Sequence, residues 1–292
     1  MMSSTASNPV PANAGSRQGF QEYFRKLSST YKAQTGGSTL RAFEQFLDEL
    51  DPISNDSVIH DNASGPAVAA EAVMRRVAAN PSIYATDLSP PMAGAGKLIV
   101  EQNGWSNVNV EEMDARKLDF ADGTFTHSIL NISIQNIDDP RVGNNEDSLL
   151  VLKEMLRTLK PGGQAVITTW KRFAAGEMVR EAQRHIKPDG PVMPYPHAEL
   201  AEGEAVKELM KMAGFNEAHI RILEKSFEIN DNADVEGLRG FMNSEMVTGP
   251  AHGGWSNGEK EQWGNAVNDT LKEEVARNGG IRFVCYAVFG RK

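Results

Sequence analysis

Val58-Ile-His-Asp-Asn-Ala-Ser-Gly-Pro-Ala67 is the stretch on which the fold turns. Ser57 to Asp61 reads as a short strand ending in a carboxylate, and Asn62 to Ala67 as a turn of small residues. Val68 to Ala79 then carries apolar residues at helical spacing and stops at Asn80-Pro81. Strand, small turn and helix open a βαβ unit, and the same pattern continues outward. Ser82 to Asp87 is a second strand. Pro91 to Gln102 is a helix with prolines in its first turn and Asn103-Gly104 at its end. Val108 to Met113 and Phe125 to Ile132 are the third and fourth strands. Ser148 to Leu159 is a helix closed by Lys160-Pro-Gly-Gly163, and Gln164 to Trp170 is the fifth strand. Strands alternating with helices of this length predict a parallel sheet with helices on both faces.

Beyond Trp170 the rhythm changes. Residues 171–197 hold a helix and a proline-rich stretch, Lys187-Pro-Asp-Gly-Pro-Val-Met-Pro-Tyr-Pro196. A helix to Gly214, a strand through His219–Ile229, an irregular block at 230–279 and a final strand Ile281–Phe289 complete the chain. At the other end, Phe20 to Phe46 predicts two short helices around Thr35-Gly-Gly-Ser38. The expected organisation is a disordered tail at 1–16, a helical cap at 17–54 and one α/β domain at 55–292. Insertions at about 171–197 and 230–279 would cover the substrate.

Composition narrows the function. The 292 residues carry a formal charge of −9, and Lys171–Arg172 and Arg75–Arg76 are isolated basic pairs, which argues against a nucleic-acid partner. The single cysteine, Cys285, excludes an internal disulfide and a cysteine-built metal site, so no metal is expected. It lies in the apolar run Phe283–Phe289, where a small buried hydrophobe is the default reading. No apolar stretch approaches the ~20 residues of a membrane helix. The N-terminal segment lacks the apolar core of a signal peptide. The expected compartment is the cytoplasm, and the oligomeric state is unread.

Three consecutive strands end at aspartates: Asp61, Asp87 and Asp114. In an open parallel sheet these ends line the ligand crevice. A helix N-cap role accounts for one such acid more readily than for three. The turn after Asp61 lacks GxxxxGK[ST] and a full GxGxxG, and an acid at its head would repel a pyrophosphate. That acid suits a cation such as an α-amino group. Asp87, 22 residues beyond Gly65, has the spacing of a ribose-diol acceptor. Asp114 can accept from an adenine amine.

These motifs resemble those of class I S-adenosylmethionine (SAM)-dependent methyltransferases. The likeness rests on Val58–Ala67, Tyr84-Ala-Thr-Asp-Leu-Ser89, Met113-Asp-Ala115 with the stretch to Phe125, and Glu154-Met-Leu-Arg-Thr-Leu-Lys-Pro-Gly-Gly163. The segment Trp255–Trp263 with Gly279-Gly-Ile281 is similar to the C-terminal pattern of fungal secondary-metabolite methyltransferases. The resemblance implies a Rossmann-like sheet of seven strands, the last antiparallel, with helices on both faces and a helical cap. It implies SAM as cofactor, a small-molecule O, S or N acceptor, and cofactor contacts at Asp61, Asn62, Ala63, Gly65, Asp87, Leu88, Met92, Asp114, Ala115 and Asn131. The family has glycine where this chain has Ala63 and Ala67, and alanine restricts positive φ there.

Methyl transfer from a sulfonium needs alignment and, for a hydroxyl acceptor, a base. His60 and His127 fall within core strands, His219 at a strand start remote from the crevice, and His185 on a surface helix. His197 and His252, in the covering blocks, are the catalytic candidates. Tyr31, Trp170 and Tyr195, with Tyr23 and Phe173, fall in segments facing the expected substrate pocket. Two rivals stand beside this reading. A methyltransferase-fold protein could bind SAM for a non-methylating rearrangement or for regulation. A nicotinamide-dependent oxidoreductase would call for a pyrophosphate turn and, in short-chain types, a Tyr-x-x-x-Lys pair, and the sequence has neither.

Overall fold

The computed structural model describes residue 28 and residues 30–138, 145–194 and 198–292. The expected tail, Tyr23, Tyr195 and His197 lie outside the described residues. Seven strands form one sheet: β1 Val58–Asn62, β2 Ser82–Asp87, β3 Val108–Glu112, β4 Phe125–Leu130, β5 Leu159–Arg172, β6 Arg221–Ile229 and β7 Ile281–Arg291. Their order is β3-β2-β1-β4-β5-β7-β6. Neighbours from β3 to β5 run parallel, and β7 is antiparallel to both β5 and β6.

Two cores flank the sheet, and strand alternation assigns residues to them. On one face Ile59, Ile83, Ala85, Val110, Ile129 and Val166 pack under α2 (Ser38–Glu44), α3 (Val68–Arg76), α4 (Pro90–Asn103), α6 (Ala174–Ile186), α8 (Asn232–Met242) and α11 (Trp263–Asn278). On the other, Phe125, Leu130, Ala165, Ile167 and Val288 pack under α5 (Glu146–Thr158) and α7 (Gly203–Ala213). Among the described residues the remaining α-helices are α1 (Tyr31–Gln34), α9 (Glu245–Ala251) and α10 (Asn257–Glu261). Among the described residues no helix is long and apolar enough to cross a membrane.

Two elements differ from the sequence expectation. β5 begins at Leu159, directly after α5, because Leu159 pairs with Phe125 while Gln164 pairs with His127. Lys160-Pro-Gly-Gly163 is therefore a bulge within the strand, with Gly162 at φ +80°. The block 230–279 is four helices rather than an irregular segment. Its signals are readable: Asp231 accepts from the Ala233 and Asp234 amides, and Ser256 and Glu259 form a capping box. Trp263, Ala266, Val267, Thr270 and Leu271 then recur as one buried helical face.

Candidate functional site

Strand order reverses between β1 and β4, which places the crevice at their carboxyl ends. The turn after β1 forms one wall. Ala63, Gly65 and Ala67 have φ of +47°, +55° and +63°, so all three positions are left-handed although only one is glycine. The turn is held from three sides. The Ser64 amide donates to the Thr86 carbonyl at 2.9 Å, the Gly65 amide to the Asp87 carboxylate at 2.8 Å, and the Ser133 hydroxyl to the Ala63 carbonyl at 3.1 Å. Helix α4 comes in close beneath it at Gly96, where a Cβ would stand 3.3 Å from the Pro66 carbonyl carbon and 3.4 Å from the Ala67 methyl.

The three strand-end acids occupy different environments. Asp61 is fully buried. One of its oxygens accepts from the Ala70 amide at 2.9 Å, in the first turn of α3, and the other has no partner. Burial pushes its carboxyl up to about 8, against the pull of the α3 amides. A cation set against the free oxygen would restore the charged form. Asp87 accepts from the Gly65 and Ser89 amides, each at 2.8 Å, and burial raises its pKa despite both bonds. Asp114 is paired with Arg116, whose Nε lies 2.9 Å from Oδ1, and Arg116 reaches on to Asp147 at 3.1 Å. The acid expected to meet an adenine amine thus already accepts from a guanidinium.

Of the other expected cofactor residues, Asn62 ends β1 fully buried, with neither amide atom partnered. Leu88 is exposed and Met92 buried in α4, while Ala115 packs against the second core. Asn131, just past β4, has both ends of its amide engaged: it donates to the Thr39 carbonyl at 3.0 Å and accepts from the Thr168 hydroxyl at 2.7 Å. Next to it Ile132 has φ +52°. Such a backbone is costly for a β-branched residue, and here its amide is held by Thr168 Oγ1 at 2.9 Å.

The Thr39 contact brings the cap onto the crevice. Half-buried Tyr31 packs against the core, and burial pushes its phenol up to about 12. Trp170 is 5% exposed. It packs against Phe283, Phe173 and Phe227 at 5.2, 6.0 and 6.3 Å between ring centres, within an aromatic core rather than on an open wall. His252 stacks on Trp255 at 4.8 Å and meets the edge of Trp263 at 4.9 Å. Its Nε2 is buried without a partner, and burial lowers its pKa. That ring belongs to the layer of α9 and α11. His60 and His127 are packed as expected, with ring nitrogens 2.9 Å from Thr86 and Thr126 hydroxyls.

Residues that position the turn and the cap, Thr39, Ser133 and Thr168, gave no signal of their own in the sequence. Their spacing from Asn131 and Ala63 reflects tertiary pairing rather than a motif. Arg116 was legible only as part of the stretch after Asp114.

Comparison with known proteins agrees with this geometry. Residues 59–163 match the family model described as a methyltransferase domain. The chain is 23% identical to methyltransferase ktnA of Aspergillus niger over 242 residues, 72% of this chain and 76% of that protein. It is 27% identical to demethylmenaquinone methyltransferase of Bacillus subtilis over 146 residues, 49% of this chain and 59% of that one. The fold matches the SAM complex of phosphoethanolamine N-methyltransferase 2 from Haemonchus contortus with a TM-score of 0.51 at 16% identity, over 92% of this chain and 60% of that one. SAM is the methyl donor typical of the matched family. With its sheet order, its antiparallel β7 and the matched segment running from β1 through the Pro-Gly-Gly bulge, the chain has the class I SAM-dependent methyltransferase fold and carries a methyltransferase domain over residues 59–163.

Proposed function

We propose that the chain transfers a methyl group from SAM to a small molecule, with the β1–β4 crevice as the donor site. The observation that carries this reading is Asp61: a fully buried carboxyl with one oxygen unpartnered, at the head of a left-handed turn. An acid in that state suits the α-amino group of SAM and disfavours a phosphate. When bound, SAM supplies a sulfonium methyl for in-line displacement.

In this reading Asp61 holds the amine and the backbone of 63–67 cradles the amino-acid end. Asp87 receives the ribose hydroxyls on the lone pairs left by its two backbone bonds. Leu88, Met92 and Ala115 border the adenine, and Asp114 keeps its place there through Arg116. Asn62 and Asn131 contribute from the ends of β1 and β4. Positioning alone can supply roughly 7–11 kcal/mol of such a barrier.

The acceptor is an O, S or N centre on an apolar, ring-bearing molecule of secondary metabolism. Support comes from the relatives: one is a fungal methyltransferase, and another is named for a quinone acceptor. A hydroxyl acceptor needs a base. His252 is committed to its aromatic stack, so His197 is the candidate. The cap meets the site where Asn131 donates to the Thr39 carbonyl.

Calorimetry tests the donor site. Asp87→Ala should weaken SAM binding at least tenfold, and Asp87→Asn, which keeps an acceptor for the Gly65 amide, should weaken it without loss of melting temperature. Unchanged affinity in both variants removes the ribose assignment. Turnover with labelled SAM against phenols, thiols and amines tests transfer, and binding with no methylated product anywhere in the panel would sink it.

A further inference from the structure

The three residues that follow β4 join three separate parts of the crevice. Asn131 faces the cap: its Nδ2 donates to the Thr39 carbonyl at 3.0 Å, and its Oδ1 accepts from the Thr168 hydroxyl at 2.7 Å. Ser133 faces the donor turn and donates to the Ala63 carbonyl at 3.1 Å. Between them Ile132 is left-handed, with φ +52°. Its amide is held to β5 by Thr168 Oγ1 at 2.9 Å and by the Thr168 carbonyl at 3.2 Å.

Each contact constrains the next. The end torsion of an asparagine is soft, and Thr168 fixes the oxygen, so the nitrogen stays aimed at the cap. Its acceptor is a main-chain carbonyl in the first turn of α2, where Leu40, Ala42 and Phe43 are buried. That carbonyl moves only with the helix. A left-handed β-branched residue persists where its surroundings over-determine it, so Ile132 sets how Asn131 and Ser133 are turned relative to each other. The Ser133 hydroxyl has one proton and two acceptors, the Ala63 carbonyl and, at 2.9 Å, the Asn131 carbonyl. A displacement of the donor turn therefore shifts this bond toward the residue that holds the cap.

We propose that Asn131 is a positioning residue that couples the cap to the donor turn through Ile132 and Ser133. Docking of α2 and occupancy of the donor site then stabilise each other. The ligand in this inference rests on the donor-site reading above. Asn131 acts through the cap, in place of the direct cofactor contact that the sequence resemblance implies.

Such coupling is reciprocal, and reciprocity supplies the test. On the full chain, hydrogen exchange is followed at residues 38–44 with and without saturating S-adenosylhomocysteine, and affinity is measured by calorimetry. In the wild type the ligand should slow exchange there at least ~5-fold. Asn131→Ala should remove that slowing and weaken the ligand by the same factor. Thr168→Val, which frees the same amide to rotate, should reproduce both effects, and Thr168→Ser should show neither. Gly237→Ala loosens the cap at its contact with Ala33 on α1. It should speed exchange yet keep the slowing by ligand, which is also how a residue that merely stabilises the cap would behave. Slowing that persists in Asn131→Ala overturns the proposal, and so does a wild-type cap that ignores the ligand. Weaker binding by Asn131→Ala without any cap response would assign Asn131 to the cofactor itself. Failure of the wild type to bind S-adenosylhomocysteine is a different outcome: it overturns the donor-site reading, and this inference with it.

Discussion

Ala63 and Ala67 show how one methyl group can carry opposite consequences at two neighbouring positions. Both residues are left-handed, a conformation that costs a non-glycine residue roughly 1–2 kcal/mol. At Ala67 the methyl is fully buried and stands over the bare Cα of Gly96 on α4. Burial of about one methyl group returns ~0.8 kcal/mol, so strain and packing nearly cancel. Ala63 is only half-buried, and strain dominates. We therefore expect Ala63→Gly to raise the melting temperature by about 2–4 °C, the effect of ~1 kcal/mol in a chain of this size, and Ala67→Gly to change it little. Differential scanning calorimetry decides this, and a larger gain at 67 than at 63 would show that packing against Gly96 contributes nothing. The alanine departures were legible in the sequence, and so were the acids at 61, 87 and 114. What the sequence could not show is that Gly96, 29 residues away from Ala67, makes room for the methyl, or that Arg116 already holds Asp114. Those are distances in space, and no local pattern encodes them.

At the scale of elements, legibility followed periodicity. β1 to β4 lie within a residue or two of their predicted limits because each is a short apolar run bounded by turn residues. β5 was predicted from Gln164 because Pro-Gly-Gly reads as a terminator; the pairing of Leu159 with Phe125 makes it a bulge instead. The cap was predicted as helical, but its docking was not. Helix α1 lies on α8, where Gly237 faces the Ala33 carbonyl so closely that a Cβ would stand 1.7 Å from the oxygen. Only glycine permits that approach. Gly237→Ala should therefore lift α1 from α8 without touching the sheet. Hydrogen exchange should rise at the amides of residues 30–44 and stay unchanged in β1, β2, β4 and β5. Uniform acceleration across both would mean that the cap and the sheet open as one unit and that the contact has no local role. Overpacking of this kind typically costs 1–3 kcal/mol, small enough for the α/β domain to remain folded.

For the molecule as a whole, the buried titratable groups around β1 make a pH-dependent contribution to stability. Asp61 has an ordinary value of 3.8 and a folded value of about 8. An acid raised in this way contributes stability below pH 3.8 that is lost as pH rises toward 8, because the folded state holds a proton that the unfolded chain releases. His60 is displaced the other way, from 6.5 to about 3, by burial. Its contribution is present above pH 6.5 and is lost on acidification toward 3. Between about 4 and 6.5 the folded state holds one proton more at Asp61 and one fewer at His60, so these two groups oppose each other. Between 6.5 and 8, of these two groups only Asp61 acts, and its contribution falls by about 1.4 kcal/mol per pH unit. Subtracting the stability curve of Asp61→Asn from that of the wild type isolates this arm, since the amide keeps an acceptor for the Ala70 amide but does not titrate. The difference should decline steadily up to pH 8 and then level off, measured by urea unfolding without ligand. Saturating S-adenosylhomocysteine should abolish the decline, because an amine against the free oxygen of Asp61 favours the charged carboxylate. Binding should then release a proton near pH 7, detectable as a dependence of the binding heat on the buffer's ionisation enthalpy. A flat difference curve would mean that water reaches the Asp61 carboxyl, and the donor site would lose the feature on which it rests.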